Sequence, residues 1–228
     1  MKLLFALLIL IFSYSAIYAD DYQYQYFQEP HKFLPFSDYI PMIREHYKTV
    51  PHYVEDFYQL YGLKLYYYNE NTLRRNIVIL KTALNCRYRH PSQAIVKTHS
   101  EEEYLKYRKL IAMNINLLIM RCYIKIGSRY DMPRISFHSG PFADEIKESF
   151  EIAEYFYNEA KPYWFEAKRL AEEASKIKIT TDLGYEESTR FSIVRKQLNY
   201  ERIINSHIAK LKTKSEQLDK IVAKYPNN

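Results

Sequence analysis

SEEEYLKYRKLIAMNINLLIMRCYIKIG, residues 100–127, is the stretch that decides the fold. Ser100 followed three residues later by Glu103 is a capping box, in which the hydroxyl takes an orphan N–H of the first turn, and it predicts a helix start. Behind it Tyr104, Tyr107, Ile111, Ile115, Leu118 and Cys122 step by three or four, the spacing of one helical face. Between Leu110 and Ile126 the chain is so apolar that several faces need cover, so this helix is expected at the centre of a domain. Gly127 is read as its end.

The same periodicity extends to both sides. From about Leu63 to Cys86, apolar Leu73, Ile77, Leu80 and Leu84 mark a buried face, and His90 and Pro91 close the segment. Downstream, Pro141 opens a helical tract reaching about Lys178, and Pro162 within it predicts a kink or break between Asn158 and Tyr163. Tyr163, Ala167, Leu170, Ala171 and Ala174 then offer small residues for a close helix approach. Asp182 and Gly184 mark a turn.

The last tract, Tyr185 to about Lys224, reads as a single helix. Ile204, Ile208, Leu211, Ser215, Leu218, Val222 and Tyr225 form a heptad seam, preferred as an intramolecular antiparallel stripe over a homo-oligomeric coiled coil because fewer than four heptads are present. With only four glycines in the chain, the expectation is an all-α protein, an antiparallel helical array with a long C-terminal helix.

The N-terminus has a different character. Residues 1–19, MKLLFALLILIFSYSAIYA, place one cation before an apolar run and a small residue at Ala19, which reads as an export signal or, uncleaved, a signal anchor. Membrane attachment is expected only in the uncleaved case, and no second membrane-length apolar segment is read in the rest. Residues 20–50 are expected to be an extended Tyr/Pro-rich arm with a short helix after Ser37, and residues 51–228 the helical domain, with a first helix from Pro51 to Gly62. Export places the body in the periplasm or outside the cell.

The chain carries 33 basic against 27 acidic residues. The clusters Arg87, Arg89, His90 and Lys106, Arg108, Lys109 suit solvated helix faces better than a nucleic-acid patch, so no nucleic-acid partner is expected. Cys86 and Cys122 fall at opposite ends of antiparallel helices, roughly 30 Å apart at about 1.5 Å per residue, and are read as buried thiols rather than a bridge.

No enzymatic signature is present. The seven histidines, at 31, 46, 52, 90, 99, 138 and 207, form no HExxH pair, and the two cysteines lack metal-ligand spacing, so neither a metal nor a cofactor is expected. Glu101, Glu102 and Glu103 are explained by the positive end of a helix dipole. There is no GxSxG and no phosphate-binding glycine loop.

Tyrosine is the outlier, with 24 copies. Its ring buries apolar area while its hydroxyl keeps a polar partner, which suits protein interfaces. Tyr22, Tyr24 and Tyr26 on the arm, with Tyr163, Trp164 and Phe165, are the candidate partner-binding residues. Trp164 fits a core anchor better than a sugar platform. Two functional classes follow: a non-enzymatic interaction scaffold, and a module binding cell-envelope glycan such as peptidoglycan.

The segments NIVILKTAL (Asn76 to Leu84), YLKYRKLIAMNINLLIMRCY (Tyr104 to Tyr123), RYD (Arg129 to Asp131) and SFEIAEYFYNEAKPYWFEAKRLAEEA (Ser149 to Ala174), in that order, resemble spirochaete periplasmic helical proteins. Some of those are tetratricopeptide-like components of the collar of the periplasmic flagellar motor, and Tyr123 and Tyr157 stand one period of 34 residues apart. The resemblance implies a non-catalytic assembly protein supporting motility, with other periplasmic motor proteins as partners.

Overall fold

A computed structural model describes residues 52–55 and 70–224, together with the backbone of 39–40 and 63–64. Among the described residues five helices carry the fold: α1 (Glu70–Leu84), α2 (Glu101–Tyr130), α3 (Ala143–Lys176), α4 (Gly184–Val194) and α5 (Tyr200–Lys224). Short 3-10 turns at Pro91–Gln93 and Phe137–Phe142 lead into α2 and α3. Two strands of two residues each, β1 (Tyr39–Ile40) and β2 (Leu63–Lys64), pair antiparallel. The protein is all-α in class, and its long C-terminal helix is α5. Tyr22, Tyr24, Tyr26, the N-terminal apolar run and most of the Pro51 to Gly62 segment lie outside the described residues.

Side-chain pairings fix the helix directions. Lys109 meets Glu173 while Tyr123 stacks on Tyr163, so α2 and α3 run antiparallel. Lys81 reaches Tyr123 while Tyr130 reaches Glu70, which makes α1 antiparallel to α2. Lys147 pairs with Asp219 and Trp164 meets Tyr200, so α5 runs antiparallel to α3. The array is therefore antiparallel along its length, as the apolar spacing implies. The helix lengths, 15, 30, 34, 11 and 25 residues, do not repeat a unit.

α2 is the centre. Every residue from Met113 to Met120 is buried, including Asn114 and Asn116. A helix apolar all round must be covered all round, and α1, α3 and α4 each pack against it. Among the described residues α2 is also the one helix long and apolar enough to cross a membrane, which corrects the expectation that no second such segment exists; most of it is buried within the fold, as in a core helix.

The start of α2 follows the capping chemistry with one shift. Ser100 Oγ accepts the Glu103 N–H at 3.1 Å, while the Glu103 carboxylate accepts from the N–H of His99 at 2.7 Å rather than from that of Ser100. Its end departs from expectation. α2 runs through Gly127 to Tyr130, with Asp131 as C-cap, because Gly127 serves packing: a Cβ there would lie 3.1 Å from the Tyr157 ring and 3.2 Å from the Ala153 carbonyl.

Three further expectations are corrected. The first concerns α1, which begins at Glu70 rather than near Leu63, since Leu63–Lys64 pairs with Tyr39–Ile40. α3 passes through Pro162 unbroken. Pro162 and Asn158 are both exposed, so the Asn158 carbonyl that loses its helical donor faces water and needs no break to be satisfied. The C-terminal tract is two helices: Lys196 adopts φ 60°, and Asn199 Oδ1 accepts the Arg202 N–H at 3.1 Å, capping a new helix.

Candidate functional site

Among the described residues, α3 and α5 enclose between them a groove of about 540 Å³. α3 contributes Lys147, Phe150, Glu151 and Glu154, whose spacing of three and four puts them on one face. α5 faces them with Asn205, Ile208, Ala209, Lys212 and Asp219, among others. Phe150 and Leu211, each 4% exposed, form an apolar floor with half-buried Ile208. The walls are charged: Lys147 Nζ pairs with Asp219 Oδ1 at 2.6 Å, and Glu151, Glu154 and Lys212 stand exposed. The bond to Asp219 holds the Lys147 ammonium above the usual lysine range. An apolar floor between charged rims is the form of a cleft that accepts a helix or an extended chain.

Beyond the groove, a polar cluster pins α5 to the end of α2. The Tyr157 hydroxyl donates to Asp131 Oδ2 at 2.5 Å, and His207 Nδ1 lies 3.2 Å from both groups. The His207 ring stacks on Tyr157 with centroids 4.7 Å apart, and Lys214 Nζ donates to the Asp131 carbonyl. Burial and the bond to Asp131 push the Tyr157 phenol well above its usual range. A phenol so held is a poor acid and a poor nucleophile, and the constellation reads as a staple between helices.

A second buried cluster joins α2 to α4. Lys106, 3% exposed, pairs with Glu187 Oε1 at 2.6 Å and donates to the Ile179 carbonyl at 2.5 Å. This corrects the reading of Lys106 as part of a solvated cationic face; Arg108 is exposed and lies over Tyr88, and Lys109 is tied to Glu173. Burial acts to raise Glu187, but Lys106, Arg190 and the Thr181 N–H outweigh it and hold the carboxyl below its usual range. Its neighbour Glu186 is pushed up by burial, with an Asn114 amide donor at 3.4 Å.

The candidate triad of residues 163–165 does not converge. Tyr163 is half-buried and stacks on Tyr123 at 5.7 Å beside Lys81; Trp164 is 2% exposed and meets Tyr200 edge-on at 5.6 Å; Phe165 is 47% exposed. Consecutive helical residues point about 100° apart, so they share no platform, and the Trp164 face is not available to a sugar. None of the three lines the groove. Half of the groove was visible beforehand in the Ile208, Leu211 and Ser215 stripe; its α3 wall was not, because charged residues at helical spacing are the ordinary signature of a solvated face.

Among the described residues no three His, Cys, Asp or Glu side chains converge as a metal site. Cys122 is buried, and burial pushes its thiol up; Cys86 Sγ sits 3.3 Å from the Thr82 carbonyl, and neither forms a disulfide.

Fold and site together define an all-α protein with a helix-lined groove. The chain belongs to the family described as a domain of unknown function (DUF8513), whose model matches residues 102–221. No curated protein and no solved structure matches it. The matched span runs from the first turn of α2 to the last turn of α5 and includes both walls of the groove.

Proposed function

We propose that this chain is an exported, non-enzymatic helical scaffold that seats a partner protein in the groove between α3 and α5. The carrying observation is the groove's composition: an apolar floor of Phe150, Ile208 and Leu211 with charged residues of both signs on the rims. A helix or extended segment bearing an apolar stripe would cover the part of that floor still open, Ile208 above all, and pair with the rims, the mode by which many helical proteins hold partners. Most strongly placed polar groups elsewhere are occupied by internal contacts, as in the Tyr157–Asp131–His207 and Lys106–Glu187 clusters.

Export through residues 1–19 and a periplasmic location belong to the same proposal, supported by the cation, apolar run and small residue there. The resemblance to spirochaete motor-collar proteins puts periplasmic flagellar motor components, and support of motility, at the head of the candidate partners. In-cell photocrosslinking from position 212, with identification of what is captured, tests the reading. Recovery of one envelope protein, with motor components the expected class, supports it. Capture of wall glycan in place of protein, or the same capture from an exposed position off the groove such as 217, overturns it.

A further inference from the structure

The corner at which α4 turns into α5 carries two sets of side chains that internal packing leaves unexplained. Phe191, Val194 and Ile203 are 43, 39 and 41% exposed. Arg195, Lys196 and Arg202 are exposed beside them in sequence, and none has a carboxylate partner among the described residues; Arg195 lies over the Phe191 ring at 3.9 Å. Between Ser188 and Ile203 the sole acid is Glu201, whereas Arg190 is already taken by Glu187.

The corner is firmly built. Gln197 and Leu198 both donate their N–H groups to the Ser192 carbonyl, at 2.9 and 3.0 Å, and Lys196 donates to Ile193 at 2.9 Å while holding φ 60°. A left-handed lysine is disfavoured where glycine or asparagine would be at ease. Cations after a helix C-terminus complement the dipole, which accounts for Arg195 and Lys196. The dipole does not account for Arg202, in the first turn of α5 where an acid is favoured, nor for three apolar side chains left in water.

We propose that this corner seats on the headgroup layer of an anionic lipid bilayer, with Phe191, Val194 and Ile203 entering the interface and Arg195, Lys196 and Arg202 at the phosphates. An exposed turn with interleaved apolar and cationic side chains fits a planar, deformable interface. A purely anionic polymer would reward the cations alone and leave the apolar set exposed. This inference stands apart from the groove, which lies on a different stretch of α5.

The test is vesicle binding by the full chain and by the form recovered after export, using phosphatidylcholine vesicles with and without phosphatidylglycerol, at low and high salt. Comparing variants within each form cancels the contribution of residues 1–19. Binding to the anionic vesicles is expected, weakened by salt, and lost by on the order of 100-fold in Arg195→Glu/Lys196→Glu/Arg202→Glu, at about fivefold per cation removed. Phe191→Ser/Ile203→Ser is expected to weaken it on the order of tenfold. Amine footprinting should show Lys196 protected by vesicles and Lys210 not, a local readout that also serves if the triple variant loses helicity. Equal binding to neutral vesicles, unprotected Lys196, or an unchanged Phe191→Ser/Ile203→Ser variant overturns the proposal, the last outcome pointing to recognition by charge alone.

Discussion

Gly127 and Tyr157 are in a contact so close that a methyl group on Gly127 would press on both the ring and the facing backbone. A Cβ on Gly127 would stand 3.1 Å from Tyr157 Cε1 and 3.2 Å from the Ala153 carbonyl oxygen, and the far end of that ring is held by Asp131. Gly127→Ala gains about 1 kcal/mol of helix propensity. Overpacking against a backbone carbonyl and a tethered ring costs about 1–3 kcal/mol. The expected outcome is a net loss on the order of 1 kcal/mol by denaturant unfolding, accompanied by weakening of the Tyr157–Asp131 bond; a stabilised variant would show that the two helices can separate freely.

Glu186 and Glu187 are adjacent in the first turn of α4 and displaced in opposite directions, which gives their variants opposite pH signatures. Glu186 is held above its ordinary value by burial. The folded state therefore binds its proton more tightly, and stability falls as pH rises from the unfolded value of about 4.3 through the raised folded one. Glu186→Gln removes that loss. It is expected to raise Tm near pH 7, by about 2–4 °C for each kcal/mol recovered, with the gain vanishing below pH 4, as thermal scans across that range would show.

Lys106→Met tests the other member. Glu187 is held below its ordinary value chiefly by Lys106 and Arg190 acting against burial, so its contribution is present above the unfolded pKa and lost as pH falls through the lower folded one. Removing Lys106 leaves a buried carboxylate with only Arg190 and Thr181 as partners. A loss of about 2–3 kcal/mol at pH 7 is expected, shrinking on acidification. A constant loss from pH 7 to pH 3 would mean that Lys106 acts through the packing of its stem.

Asn76 offers a gain without a pH term. It is 1% exposed on α1, and neither its amide nitrogen nor its carbonyl oxygen has a hydrogen-bond partner among the described residues. Desolvating such a group without compensation costs about 1–3 kcal/mol. Asn76→Leu, which keeps the branched four-atom skeleton at a somewhat larger volume, is expected to stabilise by about 1 kcal/mol in denaturant unfolding, and destabilisation of both this variant and the smaller Asn76→Ala would indicate that the site needs its polar side chain.

The helices were legible where burial is one-sided or total. The four-and-three spacing in α1 and α5, the Ser100 cap and the all-round apolar character of α2 each follow from elementary periodicity. What escaped was conditional on three-dimensional neighbours. Gly127 has the appearance of a terminator until Tyr157 is seen against it, and Pro162 stays within a helix because Asn158 faces solvent. Asn199 caps α5 in mid-tract, but an asparagine between two apolar periodic stretches does not by itself mark a helix boundary. Lys106 belongs to a run of cations and is nonetheless inside, since its partner Glu187 lies 81 positions further along the chain. Paired charges across long sequence separation leave no local mark.

The groove makes the scaffold reading open to a direct challenge at Ala209. That residue is exposed on α5 and lines the groove without forming its floor, so a larger side chain there fills the cleft and leaves the core intact. Ala209→Trp is expected to change stability by no more than about 0.5 kcal/mol, as surface substitutions usually do. Recovery of the crosslinked partner should nevertheless fall to background. Gln217→Trp, exposed on the same helix away from the groove, controls for added bulk and should leave recovery unchanged. If Ala209→Trp retains full recovery with unchanged helicity, the partner is held by another face of the array, and the apolar floor of Phe150 and Leu211 then serves only to pack α5 onto α3.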